Sequence, residues 1–339
     1  MLNAKMIKDK ALSCGFSACG IIPAAPFTEY RAAIDERSKL FPASAKEFYE
    51  PLYELVDPPA DARSIIVCIE PANQYKIPPV AGKYIGKMYI FDTRMPYSGG
   101  YRNNEEFSAF LKNGGLRLID GAVPDRWAAA KAGVGKFGRN NFTYTEANGS
   151  YLVVHTYLVD AVLEYEPAPK NTTADNCPEK CLACVRACPS KAMTGAFEMD
   201  RHRCVAQMTF NPRSFPADDP ETWEQMGTWM YGCDVCQDVC PMNKAKLTEE
   251  EDFPLSDQFE ELLKPENVLE MSEETYKNIL NQRYFYIGED DLWLWKCNAL
   301  RVMINEGDKK YFPLIKKYQD SDDTRLRAIA CWGCEKLGL

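Results

Sequence analysis

What the sequence lacks already narrows it. No apolar run reaches the ~20 residues that a helical membrane span needs; even 151–162 is interrupted by His155 and Asp160. This excludes a helical membrane protein and leaves a soluble chain as the expectation. An excess of positive charge is also missing. With 40 basic against 49 acidic residues the formal net charge is −9, so bulk electrostatics advertises neither a nucleic-acid nor an anionic-membrane binder, although a local basic patch stays open. A convincing export signal is absent as well. Residues 5–25 superficially imitate one, but Asp9 sits among the lysines, Gly and Cys dilute the apolar part, and there is no twin-arginine pair. A reducing cytoplasm is therefore expected. Histidine is scarce, with only two in the chain.

The 339 residues are 46% hydrophobic, which excludes a disordered or fibrous chain and allows more than one core. Residues 1–170 alternate helical and strand-like stretches. Lys5 to Ser13 reads as a helix and Ala18 to Ile22 as a strand. Ser64 to Ile69 is a continuous apolar run suited to a strand buried on both faces. Glu105 to Lys112 and Asp125 to Ala132 read as short helices, and Tyr151 to Val162 as a β-rich pair with a polar break. The expected architecture is an α/β or α+β layer domain over 1–170. A Pro- and Thr-containing break then leads into a cysteine-rich domain over 171–248, followed by an α-helical tail over 249–339. In the tail, Leu292 to Ile304 and Asp323 to Leu337 share helical periodicity and small residues, as in one or two HEAT-type units or an ordinary helical cap.

Fourteen cysteines are many for this length, and eight fall between Cys177 and Cys240. Cys181-x2-Cys184-x3-Cys188-Pro189 and Cys233-x2-Cys236-x3-Cys240-Pro241 are two copies of the bacterial ferredoxin signature, preceded by Cys177 and Cys204. In two-cluster ferredoxins the last cysteine of each run crosses to the other cluster. Cys177, Cys181, Cys184 and Cys240 are therefore expected to hold one [4Fe-4S] cluster, and Cys204, Cys233, Cys236 and Cys188 the second. Structural zinc competes, because paired C-x2-C motifs also make tetrahedral sites; the Cys-Pro endings and the reciprocal arithmetic favour iron–sulfur. The first copy opens with three intervening residues instead of two, and 28 residues separate Cys204 from Cys233. The other six cysteines read as small buried hydrophobes.

Two clusters close together form an electron relay, so the residues before them must supply its destination. Gly133-Val134-Gly135-Lys136-Phe137-Gly138 has the form of a dinucleotide turn, yet it follows a helix and leads into a strand, the wrong context for one. A glycine-rich loop against some other large cofactor is the better reading, with Gly133, Gly135, Lys136, Gly138 and Asn140 as candidate cofactor-binding residues.

The segment 132–140, then Gly149-Ser150-Tyr151, the first cysteine run, Arg203-Cys204, and 231–243 resemble, in order and approximate spacing, the epoxyqueuosine reductases. The resemblance covers most of the chain and is most specific over 120–243. It implies a base-off cobalamin held by the N-terminal domain, a design related to reductive dehalogenases, a HEAT-like C-terminus, and reductive deoxygenation in tRNA queuosine synthesis. It also implies that Asp120, before the glycine segment, supplies a proton at the cobalamin face, with burial raising its carboxyl pKa. Asp125 is a nearby rival whose simpler role is a helix N-cap. The chain departs from the family at 35–56 and 84–101. It also carries His155 where a small residue is usual; this histidine reads as an axial cobalt ligand, a proton donor or a structural residue. His202 reads as part of a solvated turn.

Three classes of function stay open on these grounds, the least specific being an iron–sulfur interaction module in which the clusters are structural and the helical tail binds a partner. One is a cobalamin-dependent reductase acting on epoxyqueuosine in tRNA or on another molecule, fed by a reduced ferredoxin or flavodoxin-type donor. Another is a ferredoxin-type protein that reduces a corrinoid or other partner without a cobalamin of its own.

Overall fold

The computed structural model describes residues 2–165 and 167–339. The N-terminal part is built on a sheet of order β1 (Ala18–Pro23), β2 (Ser64–Pro71), β6 (Leu152–Val159), β3 (Leu118–Ile119), with every neighbouring pair antiparallel. Of the two architectures expected, this is α+β. β2 is buried over Ser64 to Glu70, as its unbroken apolar run requires.

Alternate residues of β2 serve two cores, because successive side chains point to opposite faces. Ile65, Val67 and Ile69 pack with α2 (Thr28–Leu40) and α4 (Asp125–Lys131). Ile66 and Cys68 pack with α1 (Ala4–Ser13) and α3 (Gly99–Asn113). The layers touch closely at Gly20 of β1, where a Cβ would lie 2.8 Å from the Ala132 carbonyl oxygen and 3.0 Å from Val134. Only glycine lets the end of α4 approach the strand there.

Two boundaries differ from expectation. Within 151–162 there is one strand, Leu152–Val159, not a pair. The polar residues do not break it because each has a partner: His155 Nε2 meets Glu70 Oε2 at 2.5 Å, and the Thr156 hydroxyl donates to Asp125 at 2.8 Å. The short helix expected over 105–112 begins six residues earlier, at Gly99. Ser98 caps it there by accepting from the Tyr101 amide, while its own hydroxyl donates to the Thr93 carbonyl.

The tail is helical, ending in α8 (Leu292–Glu306) and α9 (Thr324–Leu337). Their contact is tight: a Cβ on Gly333 would fall 2.5 Å from Ile304 Cδ1. The stretch 84–101, unmatched in the sequence comparison, contributes Tyr84, Ile85, Ile90 and Phe91 to the same core as α8, together with Trp223 and Tyr231 of the cysteine-rich region. Arg301 of α8 is fully buried in this core. It donates through Nη1 to the Gly227 carbonyl at 2.6 Å and through Nη2 to the Trp229 carbonyl. Burial, with no carboxylate beside it, pushes this guanidinium down to about 9. The tail thus holds the loop leading to Cys233. Among the described residues no helix is long and apolar enough to cross a membrane.

Candidate iron–sulfur centres and the adjoining cleft

The first cysteine run is a turn followed by a short helix. The Cys181 amide donates to the Pro178 carbonyl, and Ala183–Ala187 carries Cys184 into the interior. Cys188 sits at the end of this helix and faces away, with Cys204, toward the second run. In that run, Val235–Asp238 carries Cys236. The turn Pro241–Asn243 follows and brings Cys240 back to the first run.

Cys177, Cys181, Cys184 and Cys240 line one small cavity with Arg139, Asn140 and Met242. Cys204, Cys233, Cys236 and Cys188 gather at a second point. The thiols of Cys204, Cys233 and Cys236 are pushed up first by burial and then by thiol neighbours of this same set. Among the described residues no three His, Cys, Asp or Glu side chains converge as one metal ion requires. The donor set fits clusters ligated by thiolates. The buried Arg139 Nε has no partner and belongs to a cationic residue lining the first cavity, where an anionic cluster would compensate it.

Hydrogen bonds outside the thiols fix their geometry, as supporting partners do around metal ligands. Asn140 donates to the Tyr144 hydroxyl at 2.8 Å and to the Cys236 carbonyl at 3.1 Å, which joins the two centres. Asn243 donates to Ser150 Oγ at 2.8 Å and to the Gln237 carbonyl at 3.0 Å, and accepts from the Ser150 amide at 2.9 Å. Gly149, at φ +59°, has no space for a side chain, because a Cβ would stand 2.4 Å from Asn243 Oδ1. The Gly149-Ser150-Tyr151 motif is the N-terminal domain's grip on the second cysteine run. Asp234, buried between Cys233 and Cys236, accepts from the Lys87 amide at 2.7 Å, so residues 84–101 also support this centre.

The glycine segment behaves as packing. Gly133 (φ +71°) ends α4, while Gly135 and Gly138 leave room for Thr143 and Tyr144 of β5 (Thr143–Tyr144), at 2.5 Å and 2.4 Å from where their Cβ atoms would be. Lys136, in β4 (Lys136–Phe137), pairs with Asp175 at 2.6 Å. Asn140 faces the first thiol cavity.

Between the N-terminal layers and the cysteine-rich region lies a second cavity of about 330 Å3. Arg37, Trp127, Phe137, Asn141, Thr173 and Phe197 are among its lining residues. Its size is at the lower end of small-molecule sites. Arg37 donates to Asn141 Oδ1 at 2.6 Å and Arg126 to the Asn141 carbonyl at 2.7 Å. Burial lowers both guanidinium pKa values. Arg37 lowers that of Arg126 further, and Arg201 lowers both.

Asp120 is exposed just after β3, beside Gly121 at φ +154°; the burial expected of it is absent in this state. Asp125 is not an N-cap. Pro124 holds that position without a side-chain bond, and Asp125 sits in the first turn of α4 and accepts from Thr156. Its side chain is exposed, and desolvation by the protein around it pushes its pKa up. His155 lies on the other face of the sheet, against Glu70 and Phe16. That placement fits a structural histidine.

Arg37, Arg126, Arg201 and Asn141 were not singled out in the sequence. Tyr30, Ile34 and Arg37 share one face of α2 at positions i, i+4 and i+7, the one signal available.

The family described as the 4Fe-4S double cluster binding domain matches residues 176–243. The epoxyqueuosine reductase of Staphylococcus aureus is 31% identical over 228 residues, which is 65% of this chain and 56% of that protein. That of Cellulophaga algicola is 28% identical over 258 residues, 71% of this chain and 79% of that protein. The chain thus spans little more than half the length of the first of these relatives. Among solved structures, the epoxyqueuosine reductase of Bacillus subtilis superimposes with a TM-score of 0.76 at 22% identity, covering 98% of this chain and 90% of that one. An epoxyqueuosine reductase with a tRNA-Tyr epoxyqueuosine-modified stem loop superimposes with a TM-score of 0.75 at 20% identity, covering 99% and 90%. The chain is similar to epoxyqueuosine reductases in sequence and shares their fold.

Proposed function

We propose that the chain is a cytoplasmic iron–sulfur, cobalamin-dependent reductase that removes the epoxide oxygen of epoxyqueuosine in tRNA. The observation that carries this reading is the pair of four-thiol sets beside a cleft, in a chain whose relatives are named for that reaction. The reaction consumes two electrons and two protons, releases the oxygen as water and leaves an alkene. The cysteine ligands form two clusters as paired above, taking electrons from a reduced ferredoxin or flavodoxin-type donor. A base-off cobalamin, when bound in the cleft, would supply a low-potential metal centre facing the substrate.

The chain's own residues bind, shield and protonate. Trp127, Phe137 and Phe197 give the cleft apolar walls, with Gly133, Gly135, Lys136, Gly138 and Asn140 shaping the loop between cleft and first cluster. Asp120 is the proton donor of this reading, exposed just after β3. Asp125 is the second reading for that role, favoured by its place on α4 two residues before Trp127 of the cleft wall and by its raised carboxyl pKa. In domain terms, 1–170 holds cofactor and substrate, 171–248 holds the clusters, and the HEAT-like tail over 249–339 supports the second cysteine run.

The test is anaerobic purification and reconstitution with iron, sulfide and hydroxocobalamin, followed by metal analysis, EPR and turnover of an epoxyqueuosine-containing tRNA stem loop. About eight irons and one cobalt per chain, with turnover lost in Asp120→Ala while the clusters persist, support the reading. Iron without cobalt, and no turnover, would sink it.

A further inference from the structure

Three guanidinium groups meet where the N-terminal layers face the cysteine-rich region: Arg37 from α2, Arg126 from α4 and Arg201 from the turn before Cys204. Asn141, held in a left-handed conformation at φ +66°, receives Arg37 on its side chain and Arg126 on its carbonyl. Arg201 lies over the Phe48 ring at 5.3 Å and donates to Gln207 at 3.2 Å. Among the described residues no salt bridge is recorded for any of the three. The phenols of Tyr30 and Tyr49 are near them, and Asp125 is the closest carboxylate influence on Arg126, weaker than that of the two other arginines. Glu36 and Glu198 line the neighbouring cavity.

Gathering like charges in a partly desolvated site costs free energy, which Glu36 offsets in part at Arg37 and a bound anion would offset further. Arg37 also donates to the Phe197 carbonyl at 3.3 Å; this bond and those to Asn141 use part of each fork and leave other N–H groups to bind an anion. Arg37 and Asn141 themselves line the 330 Å3 cavity, so the charge sits at the wall of a space that admits a phosphate group. The planar, multiply donating guanidinium suits a phosphate's tetrahedral oxygens better than a single carboxylate.

We propose that Arg37, Arg126 and Arg201 form a phosphodiester-binding site at the junction of the two regions. The phosphodiester is either that of the cobalamin nucleotide loop or one of the RNA backbone. The assignment of these two sources rests on the reductase reading; the phosphate site itself does not.

The experiment compares cluster-loaded wild type with Arg37→Gln, Arg126→Gln and Arg201→Gln. Arg126→Lys serves as the charge-retaining control, and circular dichroism and iron content check that each variant folds. Binding is measured for cobalamin, for cobinamide, which lacks the nucleotide loop and its phosphate, and for an anticodon stem-loop RNA across a salt series. Loss of one charge-assisted contact weakens binding about ten- to hundredfold. If cobalamin binding falls and cobinamide binding does not, the phosphate belongs to the cofactor. If RNA binding falls and its salt slope drops by about one per arginine, it belongs to the RNA. Unchanged affinity for cobalamin and for RNA in all three folded variants overturns the proposal. If wild type binds neither, the reductase reading fails, and pyrophosphate decides the site alone. Thermal stabilisation of wild type that Arg126→Gln abolishes and Arg126→Lys restores supports it, and equal stabilisation of all variants overturns it.

Discussion

Replacing Gly149 by alanine tests whether the N-terminal domain positions Cys240. The glycine has φ +59°, where an L-residue costs about 1–2 kcal/mol. Its new Cβ would stand 2.4 Å from Asn243 Oδ1, closer than any real contact, so Asn243 must move. In moving it forfeits the bond from the Ser150 amide and those to Ser150 Oγ and the Gln237 carbonyl, each worth about 1 kcal/mol net. The Asn243 amide also donates to the Cys240 carbonyl at 3.0 Å, so the disturbance reaches a ligand of the first cluster. We expect Gly149→Ala to destabilise the cluster-loaded protein by about 4–5 kcal/mol, with the EPR signal of the first cluster altered. The assay is anaerobic urea denaturation followed by fluorescence and visible absorbance. Asn243→Ala in the same background removes the clash but not the backbone strain, and both singles lose the same three bonds, so the double variant should lose about 3 kcal/mol less than the sum of the singles. Additive losses, or a Gly149→Ala protein as stable as wild type, would refute the steric argument.

Three further outcomes are expected. Cys240→Ser should abolish or convert the cluster held by Cys177, Cys181 and Cys184, and Cys188→Ser the other, as read by EPR and iron content; loss of the neighbour in the same run instead would show that the ligands do not cross. Arg301→Ala leaves the Gly227 and Trp229 carbonyls without donors and should destabilise the fold by about 2–5 kcal/mol, whereas Arg301→Lys should recover part of that loss; equal melting of all three proteins would contradict the clamp. For Asp125, whose folded pKa lies above the ordinary carboxyl range, the protonated form favours folding. Its contribution is present at low pH and fades as pH rises through the raised value. Asp125→Asn, which keeps an acceptor for Thr156, should therefore be the more stable protein at neutral pH, by less than about 1 kcal/mol for so open a group. The difference should vanish below pH ~4, near the unfolded carboxyl value, and melting curves across that range with no such convergence would refute the assignment.

The sequence by itself determined the elements whose signal is local. The apolar run of β2 had to be buried on both faces, α1 and α8 follow helical periodicity, and the eight cysteines could be divided into two sets because their spacing carries ligand geometry. It also held the Gly149-Ser150-Tyr151 motif, though not its purpose. Tertiary structure alone decided that the sheet is antiparallel, since an apolar run reads the same in either direction. It alone put His155 on the far side of the sheet from Asp125, because strand alternation assigns faces only once the register is known. It also turned 84–101 from an unmatched stretch into the floor beneath Asp234. The arginine cluster is the clearest case: Arg37, Arg126 and Arg201 are far apart in the chain and unremarkable on an acidic surface, and their shared charge becomes a property of the protein only when folding closes the distance between them.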